Sequence, residues 1–458
     1  MVKTPKIPDP LKAARRELRI AVWELVRGFL AVPDFWLQRN GLCAAIQSDL
    51  EDFPAEPQLP DLPDLKGRAL TIFLSCAEAS GEQHAARLAR ELIAAAKEAG
   101  APAPRLLGFG GAELEAAGVT TLADPGARAT MDAGGAMAQL PYYRGLLETL
   151  ATTCTEDRPD VFVPVDSPAL HVPMASIAQR YGVPVVHHIT PQYWAWAPWR
   201  VRRYKQVVDL ALTILPFESA WFDRHDVPNA FVGHPIRDAH AERPAPPGPD
   251  DRDTILLLPG SRAKEIEDNL PFMLAALDPV RAAHPDVPVR ITQRTADHEE
   301  RVRTILGETQ GVTLSIGDLE GDLGHARAAL AVSGTVLTEV AHHGIPTVVL
   351  YRVTKRWKRA LRSMLTVPWF SGVNLVAGEE VLPEFAVIGD GDPLPLGQAL
   401  VRIYEDGPER AKIQTGLKRA MHRLGGPGAA RRAARHVLGI LDRRSPEREQ
   451  KRTQAPTA

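Results

Sequence analysis

The chain has 458 residues, 45% of them apolar and 24% charged, with 54 Lys and Arg against 56 Asp and Glu for a formal net charge of -2. That length exceeds one ordinary hydrophobic core and implies two domains, while the balanced charge excludes a global attraction to nucleic acid. The three cysteines, Cys43, Cys76 and Cys154, lack C-x-x-C spacing, which argues against a disulfide framework and a zinc site and fits a reducing cytoplasm. No apolar run approaches the roughly 20 residues of a membrane-spanning helix, and the N-terminus lacks the order of a secretory signal.

Residues 1–65 form an N-terminal extension. Its residues 11–30 predict an amphipathic helix, with Leu11, Leu18, Val22, Leu25 and Phe29 on one stripe beside Lys12, Arg15, Arg16 and Arg19. Two readings stay open, a helix lying on a membrane surface and a helix packed on the protein's own body. A Pro- and acid-rich segment, Asp52 to Asp64, reads as a linker. From Ala69 short apolar runs alternate with helical stretches: Ala69 to Leu74, Arg105 to Gly110, Asp160 to Asp166, Pro184 to Thr190 and Asp209 to Leu215. The breaker segment 240–253 carries Pro244, Pro246, Pro247, Gly248 and Pro249 and marks a domain boundary. The alternation restarts with Thr254 to Leu258, Val287 to Thr292, Val312 to Ile316, Leu330 to Val332 and Thr347 to Tyr351. Residues 66–239 and 254–443 are thus each predicted as a Rossmann-like α/β domain with a parallel sheet, the two facing across a cleft. The last helix of the second can cross back to the first, and 444–458 is a polar tail predicted to be disordered.

Strand Thr254 to Leu258 runs into Pro259-Gly260-Ser261-Arg262 and then a helix. Glycine lets the backbone approach a ligand, the helix N-terminus offers unpaired N–H groups, and Arg262 adds a fork suited to phosphate oxygens. An ordinary strand-to-helix turn has the same look, but Ser333-Gly334-Thr335 repeats the pattern after strand Leu330 to Val332. Glu339 lies one turn into the following helix, placed to take ribose hydroxyls or simply favoured by the helix dipole. In the first domain, Glu78-Ala79-Ser80-Gly81 opens a helix after the first strand, and Gly108-Phe109-Gly110-Gly111 permits close backbone approach. Asp166 stands at the carboxyl end of an apolar strand, where a general base belongs, with helix N-capping as the alternative. Trp194 and Trp196 follow strand Pro184 to Ile189, where they either wall an acyl or sugar site or pack under a neighbour. His187-His188 and His342-His343 are adjacent in sequence and point different ways, so no metal site is predicted.

In chain order, Glu78-Ala79-Ser80-Gly81, Val165-Asp166-Ser167-Pro168, Tyr193-Trp194-Ala195-Trp196, Leu215-Pro216-Phe217-Glu218, Val232-Gly233-His234-Pro235, Leu258 through Ile266, Ser333-Gly334-Thr335 with Glu339, Tyr351-Arg352-Val353 and Asn374 through Gly378 resemble the lipid-A-disaccharide synthase family, glycosyltransferase family 19. The resemblance implies a GT-B hexosyltransferase that moves 2,3-diacylglucosamine from its UDP donor to 2,3-diacylglucosamine 1-phosphate (lipid X), without metal or cofactor. It implies Asp166 as catalytic aspartate, Gly260, Ser261, Arg262, Ser333, Gly334, Thr335, Glu339 and Asn374 on the UDP side, and Glu78, Ser80, Gly81, Met131, Trp194 and Trp196 on the acceptor side. It further implies peripheral contact with the cytoplasmic face of the inner membrane, and leaves a homo-oligomer open.

The chain departs from the family pattern at Glu82, where aspartate is usual, at Ala169-Leu170-His171, which drops a second acid, and at Met131 to Ala136. These changes cluster on the acceptor side. They keep open a GT-B transferase acting on another lipid or glycan acceptor, alongside a UDP-N-acetylglucosamine 2-epimerase of the same architecture and a catalytically silent scaffold. The basic stretches Arg200 to Lys205 and Lys355 to Arg359 interleave cations with aromatics and suit anionic headgroups, or else are solvated helix faces.

Overall fold

The computed structural model describes residues 9–51, 56–128, 139–241, 252–353 and 364–441. The backbone divides into two compact units, one of residues up to Asn40, Pro54–Asp238 and Gly425 onward, the other of Gly41–Phe53 and Ala239–Leu424.

The chain opens on a long helix, α1 (Pro10–Glu51). The first unit continues through β1 (Thr71–Ser75), α2 (Ala79–Glu98), β2 (Arg105–Phe109), α3 (Ala112–Ala116), β3 (Thr120–Ala123), α4 (Leu140–Glu156), β4 (Val161–Pro164), α5 (Pro168–Arg180), β5 (Val186–His188), α6 (Val201–Val207), β6 (Leu210–Thr213), α7 (Glu218–Arg224) and β7 (Asn229–Phe231). Its strands pair in parallel as β3-β2-β1-β4 and β5-β6-β7, and single bridges Phe162–Val185 and Val165–His188 join the two sets. β1 and β4 are almost wholly buried apolar runs, as a sheet covered by helices on both faces requires. Gly108 is structural. A Cβ there would lie 1.9 Å from the Leu74 carbonyl oxygen, so the residue serves the closeness of β1 and β2 rather than a ligand.

After α8 (Ile236–Ala241) the second unit runs β8 (Thr254–Leu258), α9 (Ala263–Ala275), α10 (Asp278–Ala283), β9 (Val289–Gln293), α11 (Glu299–Leu306), β10 (Val312–Ile316), α12 (Leu319–His325), β11 (Ala326–Val332), α13 (Val336–His342), β12 (Thr347–Val353), α14 (Gly372–Ala377), β13 (Glu384–Ile388), α15 (Leu394–Tyr404) and α16 (Pro408–Arg423). Its parallel order is β10-β9-β8-β11-β12-β13. Numbered from each unit's first strand, the second unit runs 3-2-1-4-5-6 and the first 3-2-1-4-5-6-7, so both share an order in which the direction of travel across the sheet reverses between strands 1 and 4. The crevice outside that reversal is where open α/β sheets take ligands. It falls at β1/β4 in one unit and at β8/β11 in the other.

The terminal helix, α17 (Ala429–Gly439), belongs to the first unit. Ala433, Val437 and Leu438 join Leu88 and Leu92 of α2 in its core. Asp238 fixes the helix start, its two carboxylate oxygens accepting from the N–H groups of Gly428 (2.5 Å), Ala429 (3.0 Å) and Ala430 (2.9 Å).

Within the first unit, α1 is anchored by an acid. Glu17 is fully buried, with one oxygen 2.6 Å from Arg180 of α5 and the other 2.7 Å from Arg203 of α6. Phe35 meets Trp199 edge-on at 5.6 Å. The inward face is therefore Ala13, Ala14, Glu17 and Phe35, whereas Leu11 is 40% exposed. The side chains of Val22, Leu25 and Phe29 lie outside the described residues. Among the described residues, no helix is long and apolar enough to cross a membrane.

Candidate functional site

At the reversal point of the second unit, β8 ends in Pro259-Gly260, and Gly260 adopts φ +115°. A Cβ there would meet Glu265 at 2.6–2.7 Å, so glycine is required both by the backbone and by the space. Two side chains hold the turn from behind: the Asn269 amide donates to the Pro259 carbonyl (3.2 Å) and the Gln293 amide to the Gly260 carbonyl (3.4 Å). Ser261 and Arg262 are exposed at the mouth of α9. The Arg262 guanidinium rests 2.7 Å from Glu265 Oε1, and Glu265 Oε2 accepts from the Ser261 N–H at 3.3 Å. In this state Glu265 occupies donors that an incoming anion would claim.

Neighbouring β11 delivers Ser333, Gly334 and Thr335. The Ser333 hydroxyl donates to the Phe370 carbonyl at 2.6 Å, and among the described residues no atom lies within 4 Å of a Cβ built at Gly334. Glu339 Oε2 sits 2.9 Å from Nε2 of His240, whose ring stacks on His342 at 3.7 Å. His240 falls in the segment assigned from sequence to a linker, and nothing local in the sequence pairs it with Glu339. The adjacent pair His342-His343 does diverge as expected. Even so, among the described residues His240, Glu320 and His343 bring ligand atoms within 4.8 Å of one another, with His343 Nε2 lying 3.1 Å from Glu320.

Asn374 is placed differently from a ligand-contacting loop residue. Its side chain is fully buried, donating to the Leu382 carbonyl (2.8 Å) and Glu384 Oε1 (2.8 Å) and accepting from the N–H groups of Val381 (3.0 Å) and Leu382 (2.8 Å). With its amide so occupied, Asn374 acts from the interior. Through Glu384, which accepts from the N–H groups of Phe370 and Ser371 at 2.7 Å each, it shapes the segment that receives the Ser333 hydroxyl.

At the reversal point of the first unit, Asp166 follows β4 and Glu78 follows β1. Asp166 and Ser167 take φ of 55° and 45°, two consecutive left-handed residues without glycine. Such strain persists only where the surroundings impose it and concentrates at functional sites. Here two histidines impose it: the Asp166 carbonyl lies 2.6 Å from His171 Nδ1 and 3.0 Å from His187 Nε2. A carbonyl only accepts, so both nitrogens carry hydrogen. Burial pushes the two imidazoles down to about 4 and about 3, keeping them neutral, so His171 Nε2 accepts from the Ser75 hydroxyl at 2.9 Å. His171, which stands within the family-divergent stretch, is therefore the prop of the Asp166 backbone. Burial, and then the nearby Glu78 carboxylate, raise the Asp166 carboxyl above its ordinary value, against a lowering hydrogen bond from the Ser167 N–H.

Other candidates separate. Gly81 is buried, a Cβ there being 3.7 Å from Cys76 and 3.8 Å from the Val165 carbonyl, while Ser80 contributes backbone to the start of α2 and its side chain lies outside the described residues. Met131 falls in the undescribed segment 129–138. Glu82 caps α3, accepting from the N–H groups of Glu113 (2.9 Å) and Leu114 (3.2 Å). Trp194 does not line an open site: it is buried edge-on to Phe217, and its indole N–H donates to Glu218 at 3.1 Å. Trp196, by contrast, is 49% exposed with the Arg200 guanidinium 5.6 Å from its ring. Of the first basic stretch, Arg203 is committed to Glu17 and Lys205 pairs with Asp226 at 2.9 Å; the stretch Lys355 to Arg359 lies outside the described residues.

The family model for lipid-A-disaccharide synthetase matches residues 72–438, from within β1 to within α17, and so takes in both reversal points. The chain belongs to the lipid-A-disaccharide synthase family. Family members named lipid-A-disaccharide synthase from Anaeromyxobacter dehalogenans and Myxococcus xanthus are 34% and 35% identical over 385 and 384 residues, each comparison covering 81% of this chain and 97% of the relative. Among solved structures, the Staphylococcus aureus MnaA–UDP co-structure superposes with a TM-score of 0.54 at 14% identity, covering 85% of this chain and 99% of that one. The kitacinnamycin glycotransferase gives 0.52 at 20% identity, covering 83% and 100%. At those identities the likeness shows the fold, which is GT-B. The lipid-A-disaccharide synthase match leaves out α1 entirely.

Proposed function

We propose that the chain transfers 2,3-diacylglucosamine from its UDP donor to the 6-hydroxyl of 2,3-diacylglucosamine 1-phosphate, yielding the β-1,6-linked disaccharide 1-phosphate and UDP. The observation that carries this reading is the family match across both reversal points, with an exposed arginine and two helix mouths in one unit and a largely buried carboxyl at a strand end in the other. Asp166 takes the proton of the acceptor hydroxyl as its oxygen attacks the anomeric carbon, while the bond from that carbon to the diphosphate oxygen breaks and UDP carries away the electron pair. A general base so placed contributes on the order of 10²–10⁴ in rate. Arg262, turning from Glu265, and the free N–H groups at the start of α9 stabilise the departing diphosphate, and Glu339 takes the ribose hydroxyls. Both substrates are acylated, so the reading includes peripheral contact with the cytoplasmic face of the inner membrane.

The deciding assay gives purified protein the UDP donor and the 1-phosphate acceptor together and follows disaccharide and UDP by mass spectrometry. Disaccharide formation is expected. Donor turnover on another lipid or glycan acceptor, with none on this one, would move the assignment to a different acceptor; conversion of UDP-N-acetylglucosamine to its 2-epimer would replace it.

A further inference from the structure

We infer that the outward face of α1 is a docking surface for an anionic lipid bilayer. Nine large apolar side chains stand exposed among the described residues, and five of them, Leu11, Trp23, Leu30, Trp36 and Leu37, belong to this one helix. Trp23, Leu30 and Leu37 are 53%, 72% and 86% exposed. Spaced seven apart at 3.6 residues per turn, they fall within an arc of about 40°, and Lys12, Arg16, Arg19 and Arg27 lie on the same side. The buried anchors Glu17 and Phe35, five turns apart, point about 140° away from the middle of that row. Because Glu17 is locked to Arg180 and Arg203, α1 cannot roll to hide the apolar row.

Charge selects the occupant. Residues 11–40 carry six Lys and Arg against three Asp and Glu, and one of those acids, Glu17, is buried. The Arg27 guanidinium lies 4.2 Å over the Trp23 ring, so cation and indole sit together at one level. Indole rings beside basic side chains, with leucines further along the same face, match the headgroup-to-acyl boundary of an anionic membrane. A second copy of the chain meeting this face by symmetry would set cation against cation. The helix also lies outside residues 72–438, so it is an addition to the matched family core. The inference rests on the proposed function only for its purpose, delivery of the site to acylated substrates.

The full-length protein is to be sedimented with vesicles of phosphatidylcholine alone and of phosphatidylcholine mixed with phosphatidylglycerol. Binding to the mixed vesicles is expected. Each of the three apolar side chains contributes on the order of ten-fold to partitioning, so Trp23→Ser/Leu30→Ser/Leu37→Ser should lower the partition coefficient by about 100-fold or more, with the melting temperature and the transfer rate on detergent-dispersed substrates unchanged. Arg16→Gln/Arg19→Gln should lower the preference for phosphatidylglycerol by roughly ten-fold or more, Lys12 and Arg27 holding the remainder. Should the triple variant melt early, Leu37→Ser alone, at the most exposed position, supplies the same comparison with a roughly ten-fold loss. Wild-type protein that ignores both vesicles, or apolar variants that bind as the wild type does, overturns the inference. Loss of self-association in the ultracentrifuge without loss of vesicle binding gives the face to a second copy and overturns it too. Failure of transfer with vesicle binding intact counts against the proposed reaction and leaves the docking surface standing.

Discussion

Asp166 is held by its backbone and tuned by its neighbours, and the two effects have different tests. Its carboxyl is raised first by burial and second by Glu78. In the proposed role of general base it works ionised, so the rate should rise as pH climbs through this raised value. Glu78→Gln removes the neighbouring negative charge, makes ionisation easier and should shift the acid limb of the pH–rate profile to lower pH. A limb that stays in place would mean the two carboxylates do not communicate during turnover. At the other reversal point, Arg262→Ala should weaken UDP binding about 10- to 100-fold by titration calorimetry, the value of one charge-assisted contact; unchanged affinity would take Arg262 out of the diphosphate site. Gly260, Arg262 and Asp166 were legible in the sequence because each stands where a strand ends and a helix begins. His171, His187 and His240 were not, since their partners are 5, 21 and 99 residues away and only the fold pairs them. The choice between the two readings of Trp194 was hidden for a related reason: the buried acid that accepts its N–H, Glu218, is 24 residues on.

At the scale of elements, most strands were legible in the sequence as apolar runs, the edge strand β10 among them. Thr254–Leu258 and Val312–Ile316 are found with the predicted bounds, and the other apolar runs are displaced by a few residues. β3, β7 and β13 escape: none of their residues is buried, and an edge strand needs no continuous apolar run, although β10, equally half-covered, keeps the alternating Val312, Leu314 and Ile316 that made it legible. α1 shows the limit of the amphipathic pattern more clearly. Its anchor is a carboxylate, which a hydrophobic stripe cannot register, and the predicted apolar stripe begins with Leu11 on the exposed side. Glu17→Ala strands two part-buried guanidinium groups and should cost about 3 kcal/mol, the low end for breaking a buried ion pair because both arginines keep some water contact. Urea unfolding measures it. A midpoint equal to the wild type would mean that α1 is held by Phe35 and its apolar neighbours instead.

Across the whole molecule, two parallel sheets sharing the order 3-2-1-4-5-6 place their reversal points at the candidate residues; the alternating pattern of the sequence was sufficient for two parallel α/β domains, while the strand order came from the fold. It carried no information on how many titratable groups the first unit buries. His171, His187 and His188 are pushed by burial down to about 4, 3 and 3, while burial raises Glu218 to about 7. The signs oppose. Below the ordinary histidine value of 6.5 the unfolded chain takes up protons that the folded chain refuses until about 3 to 4, so the histidines cost stability as pH falls through that window. Glu218 binds its proton in the folded state before the unfolded one does, so its effect is the reverse, stability being lost as pH rises from 4.5 through about 7. Three groups against one predict net weakening in mild acid. His188 isolates the effect, because among the described residues neither of its ring nitrogens has a hydrogen-bond partner that its removal would strand. His188→Leu should therefore lie within about 1 kcal/mol of the wild type at pH 7.5, a volume-conserving change in a packed site. At pH 5.5 it should gain about 1 kcal/mol relative to the wild type, since one pH unit below 6.5 is worth about 1.4 kcal/mol for a group that stays neutral only when folded. Urea midpoints at the two pH values decide it: parallel losses in both proteins would mean that His188 takes up its proton in the folded state, and that the buried surroundings of β5 admit a charge.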